Sequence, residues 1–332
     1  MKPRTSMHLI AGFFLASVYG TATAQAAEPL VLEQKIALGD VSGRIDHLAI
    51  DLPRQRLFVA ELGNNSVGVV DLREQKVLHR IGGLREPQGV AYVAESDTVF
   101  VANAGDGSVR RFRGADFAPL GRLDLGDDAD NIRVDARAHQ VVIGYDGGAL
   151  ALVDAATAQK TAEIRLPAHP ESFQLEHSGT RIFANVPDAR QIAIVDRVSG
   201  QQTAKWTLPD AAANFPMALD EADARLLVVY RKPALLAVFD THDGKVVQRL
   251  PTCGDADDVF FDARRQRIYI SCGEGFLDIL QRRGDSIERL ARLATVSGAR
   301  TALFVPELDR LFLAVRARGS ERAAIWVYRP PS

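Results

Sequence analysis

The sequence predicts an all-β protein, a seven-bladed β-propeller with four antiparallel strands in each blade. Three observations lead to this fold: a repeat of 41–44 residues that occurs seven times, four strand-like segments in each repeat, and chain ends that complement each other. Four short strands in about 40–45 residues are typical of one propeller blade. No segment keeps the 3.6-residue apolar period of a helix, so an α/β fold is excluded. An open β-solenoid is the alternative, but it would leave strand edges exposed.

The repeat is clearest in the first two strands of each unit. The first strand begins in turn at His47, Gln88, Asn131, Ser172, Pro216, Asp258 and Thr301. The second begins at Leu57, Val99, Val141, Ile182, Leu226, Ile268 and Leu311. These segments are rich in Val, Ile, Leu and Phe and are bounded by Gly, Asp, Asn and Pro, as strands are. A third segment alternates and often ends in Asp, as in residues 67–71, and a fourth closes the unit, as in residues 76–81.

The chain ends predict how the ring closes. The last unit, residues 297–329, contains three strands and then stops at two prolines. Residues 30–38 form a strand-like segment that belongs to no unit. We expect this N-terminal strand to join the last blade as its outer strand, which removes the free sheet edge.

Two units carry a motif of a known repeat family. Val99-Phe-Val-Ala-Asn103 is followed by Ser108-Val109, and Leu57-Phe-Val-Ala60 is followed by residues 66–71. These segments resemble the Tyr-Val-Thr-Asn (YVTN) β-propeller repeat, with Ala in the Thr position, and the whole mature chain resembles its exported YncE-like members. The resemblance implies the seven-bladed fold. It leaves the function open, because such propellers serve as binding proteins, scaffolds and lactonases alike.

The N-terminus predicts export. Lys2 and Arg4 precede an apolar run over residues 9–18, and Ala24-Gln25-Ala26 has the small residues of a cleavage site. This is the pattern of a signal peptide. We therefore expect residues 1–26 to be removed and residues 27–332 to form one propeller domain in the periplasm or outside the cell. The apolar run is shorter than the roughly 20 residues of a membrane span, so no membrane span is predicted.

Composition narrows the function classes. Hydrophobic residues make up 47% and charged residues 25% of the chain, which indicates a globular protein and excludes general disorder. A net charge of −2 argues against the broad basic surface of a nucleic-acid-binding protein. Cys253 and Cys272 lie on the same side of the predicted sixth blade. In an oxidising compartment they are expected to form a disulfide, although two buried thiols are the alternative.

One rim of the ring carries the chemically diverse side chains. Because the strands are antiparallel, the loops that enter the first strands and the loops that join the second and third strands share this rim, here called the mouth rim. The loops that enter the first strands carry Arg44, Asp46, His47, Gln88, Asn131, His169, Glu171, Asn214, Phe215, Asp258 and Arg300. The loop between the second and third strands of the fifth unit adds Arg231 and Lys232. Together they are expected to hold a small polar ligand or a cation, unless the Asp and Asn side chains only cap their own loops.

Two similar acidic loops on the mouth rim suggest a metal site. Residues 126–131 and 254–258 lie three blades apart and approach the channel from nearly opposite sides. Their aligned carboxylates are Asp128, Asp130, Asp255 and Asp257. Oxygen ligands suit a divalent cation such as calcium or magnesium, and His47 or His169 would add nitrogen for a transition metal. Neither loop matches an EF-hand, and nearby arginines are an alternative source of positive charge.

The leading functional hypothesis is a binding protein without catalysis. It would bind a small polar ligand or a periplasmic protein at the channel mouth, and it would act as a monomer. The alternative is a metal-dependent hydrolase or lyase of the lactonase kind, in which His47 or Glu171 moves protons. Nucleic-acid binding through Arg231, Lys232 and neighbouring arginines is disfavoured by the acidic net charge.

Overall fold

The computed structural model describes residues 28–331, together with Met1 and Pro3, and it confirms the seven-bladed ring. Each blade is a four-stranded antiparallel sheet. The predicted signal peptide lies, apart from Met1 and Pro3, outside the described residues. In the part of the chain that the structure describes, no helix has the length and apolar character needed to cross a membrane.

The blades follow one another along the chain. Blade 1 contains β2 (Leu48–Asp51), β3 (Arg56–Glu61), β4 (Ser66–Asp71) and β5 (Lys76–Ile81). Blade 2 contains β6 (Pro87–Val93), β7 (Thr98–Asn103), β8 (Ser108–Arg113) and β9 (Pro119–Asp124). Blade 3 contains β10 (Ile132–Asp135), β11 (Gln140–Tyr145), β12 (Ala149–Asp154) and β13 (Lys160–Arg165). Blade 4 contains β14 (Phe173–Leu175), β15 (Arg181–Val186), β16 (Gln191–Asp196) and β17 (Gln201–Trp206).

The remaining blades complete the ring. Blade 5 contains β18 (Ala212–Asp220), β19 (Arg225–Lys232), β20 (Ala234–Asp240) and β21 (Val246–Pro251). Blade 6 contains β22 (Ala256–Asp262), β23 (Arg267–Cys272), β24 (Phe276–Arg283) and β25 (Ser286–Ala294). Blade 7 contains β26 (Ala302–Val305), β27 (Arg310–Val315), β28 (Ala324–Arg329) and β1 (Val31–Ala37). A 3₁₀ turn, Leu62–Asn64, joins β3 to β4.

The N-terminal strand closes the ring as predicted. β1 pairs antiparallel with β28 and forms the outer strand of blade 7. It is one residue shorter at each end than the predicted segment, but the flanking Leu30 and Leu38 are both buried. Ile36, paired with Ile325, is only 2% exposed. The first and last parts of the described chain therefore hold each other in one sheet.

The hydrophobic core is divided among the contacts between neighbouring blades. Phe58 of blade 1 belongs to one core cluster with Val90 of blade 2, and Phe100 of blade 2 belongs to another with Ile143 of blade 3. Both phenylalanines are fully buried. Full burial of such a side chain contributes about 1.5–3 kcal/mol. The same pattern recurs around the ring, so each blade is stabilised mainly by its two neighbours.

Ion pairs on the rim opposite the mouth join neighbouring blades. Arg282 of blade 6 contacts Asp220 of blade 5 at 2.7 Å, and Arg197 of blade 4 contacts Asp135 of blade 3 at 2.9 Å. Each of these aspartates ends an inner strand and is buried. At these two positions the repeated Asp therefore binds the adjacent blade.

The predicted disulfide is confirmed. Cys253 and Cys272 are bonded, and their Cα atoms are 5.9 Å apart. Both residues are buried at the mouth-rim end of blade 6. The bond ties the segment that enters β22 to the end of β23.

Loss of this disulfide should lower the stability of the ring. Replacing both cysteines by alanine frees a cross-link with a sequence separation of 19 residues. The expected loss is roughly 3 kcal/mol in the free energy of unfolding, because the unfolded chain regains entropy. Urea unfolding measures it, and the wild type unfolded with a reductant present should show a similar loss. Equal stability of wild type and double variant under oxidising conditions would contradict this expectation.

Candidate functional site

Side chains from all seven blades line one cavity of about 180 Å³ at the mouth of the central channel. The lining residues are Arg44, Asp46, His47, Gln88, Asp128, Asp130, His169, Glu171, Phe215, Asp257 and Arg300. Each of these positions is among those singled out from the sequence. They converge because each lies on the loop that leads into an inner strand, or at the first residues of that strand.

The other predicted site residues lie around this cavity. Asn131 and Asp258 line the adjoining channel. Arg231 and Lys232 line a neighbouring depression of the mouth rim. Asn214 is buried and donates to Asn185 Oδ1 at 2.8 Å, so its side chain is engaged within the ring.

Two arginines neutralise the acidic loop of blade 6. Arg300 Nε lies 2.9 Å from Asp257 Oδ2, and Arg300 Nη1 lies 3.0 Å from Asp255 Oδ1. Arg231 also pairs with Asp257, and its guanidinium lies 3.7 Å from the centroid of the Phe215 ring. The contact with Phe215 is a cation–π interaction, which fixes the guanidinium against the cavity wall. Asp255 and Asp257 therefore already have cationic partners.

Asp130 on the acidic loop of blade 3 is placed differently. Its side chain lines the cavity and the residue is only 7% exposed. No described residue donates a hydrogen bond to Asp130 Oδ1. The other oxygen, Oδ2, lies 3.9 Å from His169 Nε2, beyond hydrogen-bond distance. A buried carboxylate without donors is costly, so this oxygen has acceptor capacity that the described chain does not use.

Glu171 of blade 4 is the carboxyl next to Asp130. Burial and, after it, repulsion from Asp130 raise the pKa of Glu171 to about 7, against the attraction of His169. Its backbone N–H donates to the carbonyl of Asn185 at 3.0 Å, which fixes its position ahead of β14. Within residues 28–331, no group donates a hydrogen bond to its carboxyl. Glu171 and Asp130 thus face the same cavity, and Glu171 is a pure acceptor above its pKa of about 7.

His169 supplies a positive charge beside these acids. Its Nδ1–H donates to the carbonyl of Asp146 at 2.7 Å, which fixes the ring. Burial disfavours the charged imidazole, but Asp130, the Asp146 carbonyl and Asp128 outweigh this effect and raise the pKa of His169 to about 9. The ring is therefore protonated at neutral pH.

A second carboxyl–imidazole pair lies across the mouth on blade 1. Burial raises the pKa of Asp46 to about 6, against the attraction of His47. Asp46 Oδ2 also accepts a hydrogen bond from Arg44 Nη2 at 2.7 Å. Burial disfavours protonation of His47, but Asp46 and Asp258 outweigh it and raise its pKa. This pair is already balanced by contacts within the blade.

Two polar residues of the channel were not among those predicted from the sequence. Arg133 and Gln174 line the channel below the mouth, beside Asp258. Arg133 Nη1 donates to Asn131 Oδ1 at 3.0 Å, and Gln174 donates to the Met217 carbonyl at 3.0 Å. Both occupy the third position of the inner-strand repeat. The other units have Ala49, Val90, Ala218, Phe260 and Leu303 there. A comparison of that single repeat position identifies both residues.

The four aspartates of the predicted metal site differ in the partners that the structure gives them. Asp255 and Asp257 are paired with Arg231 and Arg300, whereas Asp130 has, among the described residues, only the His169 ring, 3.9 Å from its Oδ2, and no donor to its Oδ1. Among the residues that the structure describes, no three His, Cys, Asp or Glu side chains are grouped so as to hold a metal ion. A cation that used all four predicted carboxylates would have to displace the arginines.

Two solved structures of low sequence identity share this fold. A chain of hydrazine synthase from Kuenenia stuttgartiensis is 17% identical, with a TM-score of 0.74 over 83% of this chain and 93% of that chain. A chain of the mitotic checkpoint complex is 13% identical, with a TM-score of 0.77 over 97% and 98% of the two chains. The sequence matches no established protein-family profile, and no curated protein matches it. At these identities the likeness concerns the fold alone.

Proposed function

We propose that this protein is a binding protein whose channel mouth takes a small polar ligand without chemical conversion. The observation that carries the proposal is Asp130, a buried carboxylate whose Oδ1 has no donor among the described residues. This carboxylate lies in a cavity to which every blade contributes. Polar groups that converge in a concave, preformed site fix the position of a small polar ligand.

The size of the cavity indicates the size of the ligand. Its volume of about 180 Å³ has room for roughly six water molecules at ~30 Å³ each. A ligand or ligand group of comparable size fits better than a folded protein segment. The ion pairs of Arg300 and Arg231 hold one wall in place before binding, which lowers the entropic cost of association.

A ligand screen with an Asp130→Asn variant tests this function. We expect at least one compound among small amines, polyols, carboxylates and divalent cations to raise the melting temperature of the wild type. The Asp130→Asn variant should bind that compound about 10–100-fold more weakly, because a hydrogen bond to a charged group is lost. Glu95→Gln is the control, since Glu95 lies on the opposite rim with two-thirds of its side chain exposed. Equal affinity of Asp130→Asn and wild type for every bound compound would contradict the proposal.

A second candidate function is a metal-dependent hydrolase or lyase of the lactonase kind. It is favoured by the Glu171 carboxyl, whose pKa of about 7 suits proton transfer at neutral pH. His47, the other proposed catalytic residue, has a raised pKa in the same cavity. Turnover of lactones with added calcium or magnesium, lost in Glu171→Gln, would support this function over simple binding. Equal turnover in Glu171→Gln and wild type would contradict it.

We also propose that the protein is an exported, YncE-like member of the YVTN-repeat propellers. The buried disulfide supports an oxidising compartment, in which such bonds persist. The signal-peptide pattern of residues 1–26 supports the same location. N-terminal sequencing of protein from a periplasmic fraction should begin at Ala27, and an intact N-terminus in the cytoplasm would contradict export.

A further inference from the structure

We propose that the ligand of the mouth cavity is a small organic cation whose ammonium group lies between Asp130 and Glu171. This inference rests on the proposed binding function and specifies its ligand class. It follows from the charge of the cavity, from the pairing of each carboxylate, and from the donors that the two remaining acceptors require.

The charge of the cavity favours a cation. Its lining contains five carboxyl groups, two guanidinium groups and two imidazoles. The carboxyl groups belong to Asp46, Asp128, Asp130, Glu171 and Asp257, and the guanidinium groups to Arg44 and Arg300. His169 is protonated at neutral pH and adds one positive charge to the two guanidinium groups, but above the Glu171 pKa of about 7 the carboxylates still outnumber these cations, and the remaining negative charge attracts positive ligands.

Pairing within the chain removes most of these acids from consideration. Asp46 accepts from Arg44 at 2.7 Å, and Asp257 is held by Arg300 and Arg231. Asp128 lies at the edge, where 46% of its side chain is exposed to solvent. Asp130 and Glu171 remain: no described residue donates a hydrogen bond to Asp130 Oδ1, and the only cation that the structure describes beside Asp130 is the His169 ring, 3.9 Å from Oδ2. A ligand group between them therefore has to donate hydrogen bonds, and a positive charge on that group is favoured above the Glu171 pKa of about 7, where both carboxyls are ionised.

An ammonium group satisfies these conditions better than a metal ion. Calcium requires six to eight oxygen ligands, and magnesium requires a nearly ideal octahedron. Within residues 28–331, no three acidic, His or Cys side chains are grouped to hold a metal. A primary ammonium has three donors, enough for both carboxyl groups and one further acceptor. The amide of Gln88 lines the same cavity and offers such an acceptor, while the Phe215 ring gives an apolar wall for a short alkyl chain.

Three probes with one four-carbon skeleton, together with a calcium salt, test the charge requirement. The probes are 1,4-diaminobutane, 4-amino-1-butanol, 1,4-butanediol and calcium chloride, titrated calorimetrically into the full mature chain at pH 8. The two amines should bind, and the diol should bind at least about tenfold more weakly, because it lacks the charge that strengthens the hydrogen bonds. Asp130→Asn and Glu171→Gln should each weaken amine binding by about tenfold or more. Glu95→Gln should bind like the wild type, and thermal unfolding of each variant shows whether its fold is intact.

The pH dependence of amine binding is a second readout. The groups that face Glu171 are Asp130, His169, Asp257 and Arg231. An ammonium ligand favours the ionised carboxylate, so the dissociation constant should fall as the pH rises from 6 to 8, through the Glu171 pKa of about 7. His169 stays protonated over this range because its pKa is about 9. Glu171→Gln should show a flatter profile, and an unchanged profile in this variant would overturn the assignment of Glu171.

The outcomes separate this inference from the proposed function. If the diol or calcium binds in an Asp130-dependent manner and the amines do not, the ammonium assignment is overturned and the binding function stands. If the amines bind equally well to wild type and to both variants, the site between Asp130 and Glu171 is overturned. If no probe binds, the ammonium assignment also fails, and the broader screen then decides whether the binding function fails with it.

Discussion

Removal of residues 28–38 should strongly destabilise the ring. This segment contains β1, which pairs with β28 at six positions, and it contributes the buried side chains of Leu30, Ile36 and Leu38. Without it, blade 7 has three strands and an exposed sheet edge, and the contact between blades 7 and 1 loses part of its core. An open edge also favours aggregation. We expect a melting temperature lower by more than about 10 °C, or insoluble protein. Several kcal/mol of stability are lost, and each kcal/mol lowers the melting temperature by a few degrees.

Two point variants of β1 separate side-chain packing from the presence of the strand. Ile36→Ala should lower the free energy of unfolding by about 2–5 kcal/mol, since Ile36 is 2% exposed. Leu32→Ala should change it by about 0.5 kcal/mol or less, because Leu32 is 40% exposed on the same strand. Chemical denaturation of both variants measures the difference. A truncated protein that melts like the wild type would show that β1 does not close the ring.

The fold was predictable because one physical pattern is repeated. Seven copies of the same strand order fix the blade, and the unpaired segment at residues 30–38 fixes the closure. Strand direction then places every loop that enters an inner strand on one rim. His47 and Arg300 are far apart in the sequence, yet both line the mouth cavity for this reason.

The partners of the rim side chains were not predictable in the same way. Asp130 and Asp257 occupy equivalent positions in similar loops. Arg231 and Arg300 bind Asp257, whereas no described residue donates to Asp130 Oδ1. This difference depends on which side chains the neighbouring blades direct toward each loop, and that information is absent from the loop itself. Asn214 shows the same effect, because blade 4 offers it Asn185 and it turns into the ring.

Replacement of Arg265 by methionine should produce the largest loss from a single charged side chain. Arg265 lies on the opposite rim of blade 6 with 8% of its side chain exposed. Its guanidinium contacts Asp262 at 3.0 Å and Asp309 of blade 7 at 2.6 Å, and it also donates to the carbonyls of Pro330 and Pro331. Methionine fills similar space but leaves the buried Asp262 carboxylate without its cation. Breaking a buried ion pair from one side costs about 3–5 kcal/mol.

The adjacent Arg264 provides the matched control for Arg265. Arg264 is exposed, so Arg264→Met should change the stability by less than about 1 kcal/mol.

The hydrogen bond from Arg265 lowers the pKa of Asp309 below its usual 3.8, so this contact stabilises the folded state above pH 3.8 and is lost as the pH falls further. The stability gap between wild type and Arg265→Met should therefore narrow in acid. Urea unfolding at pH 7 and at pH 3 measures both values, and equal stability of the two methionine variants at pH 7 would show that Arg265 does not hold blades 6 and 7 together.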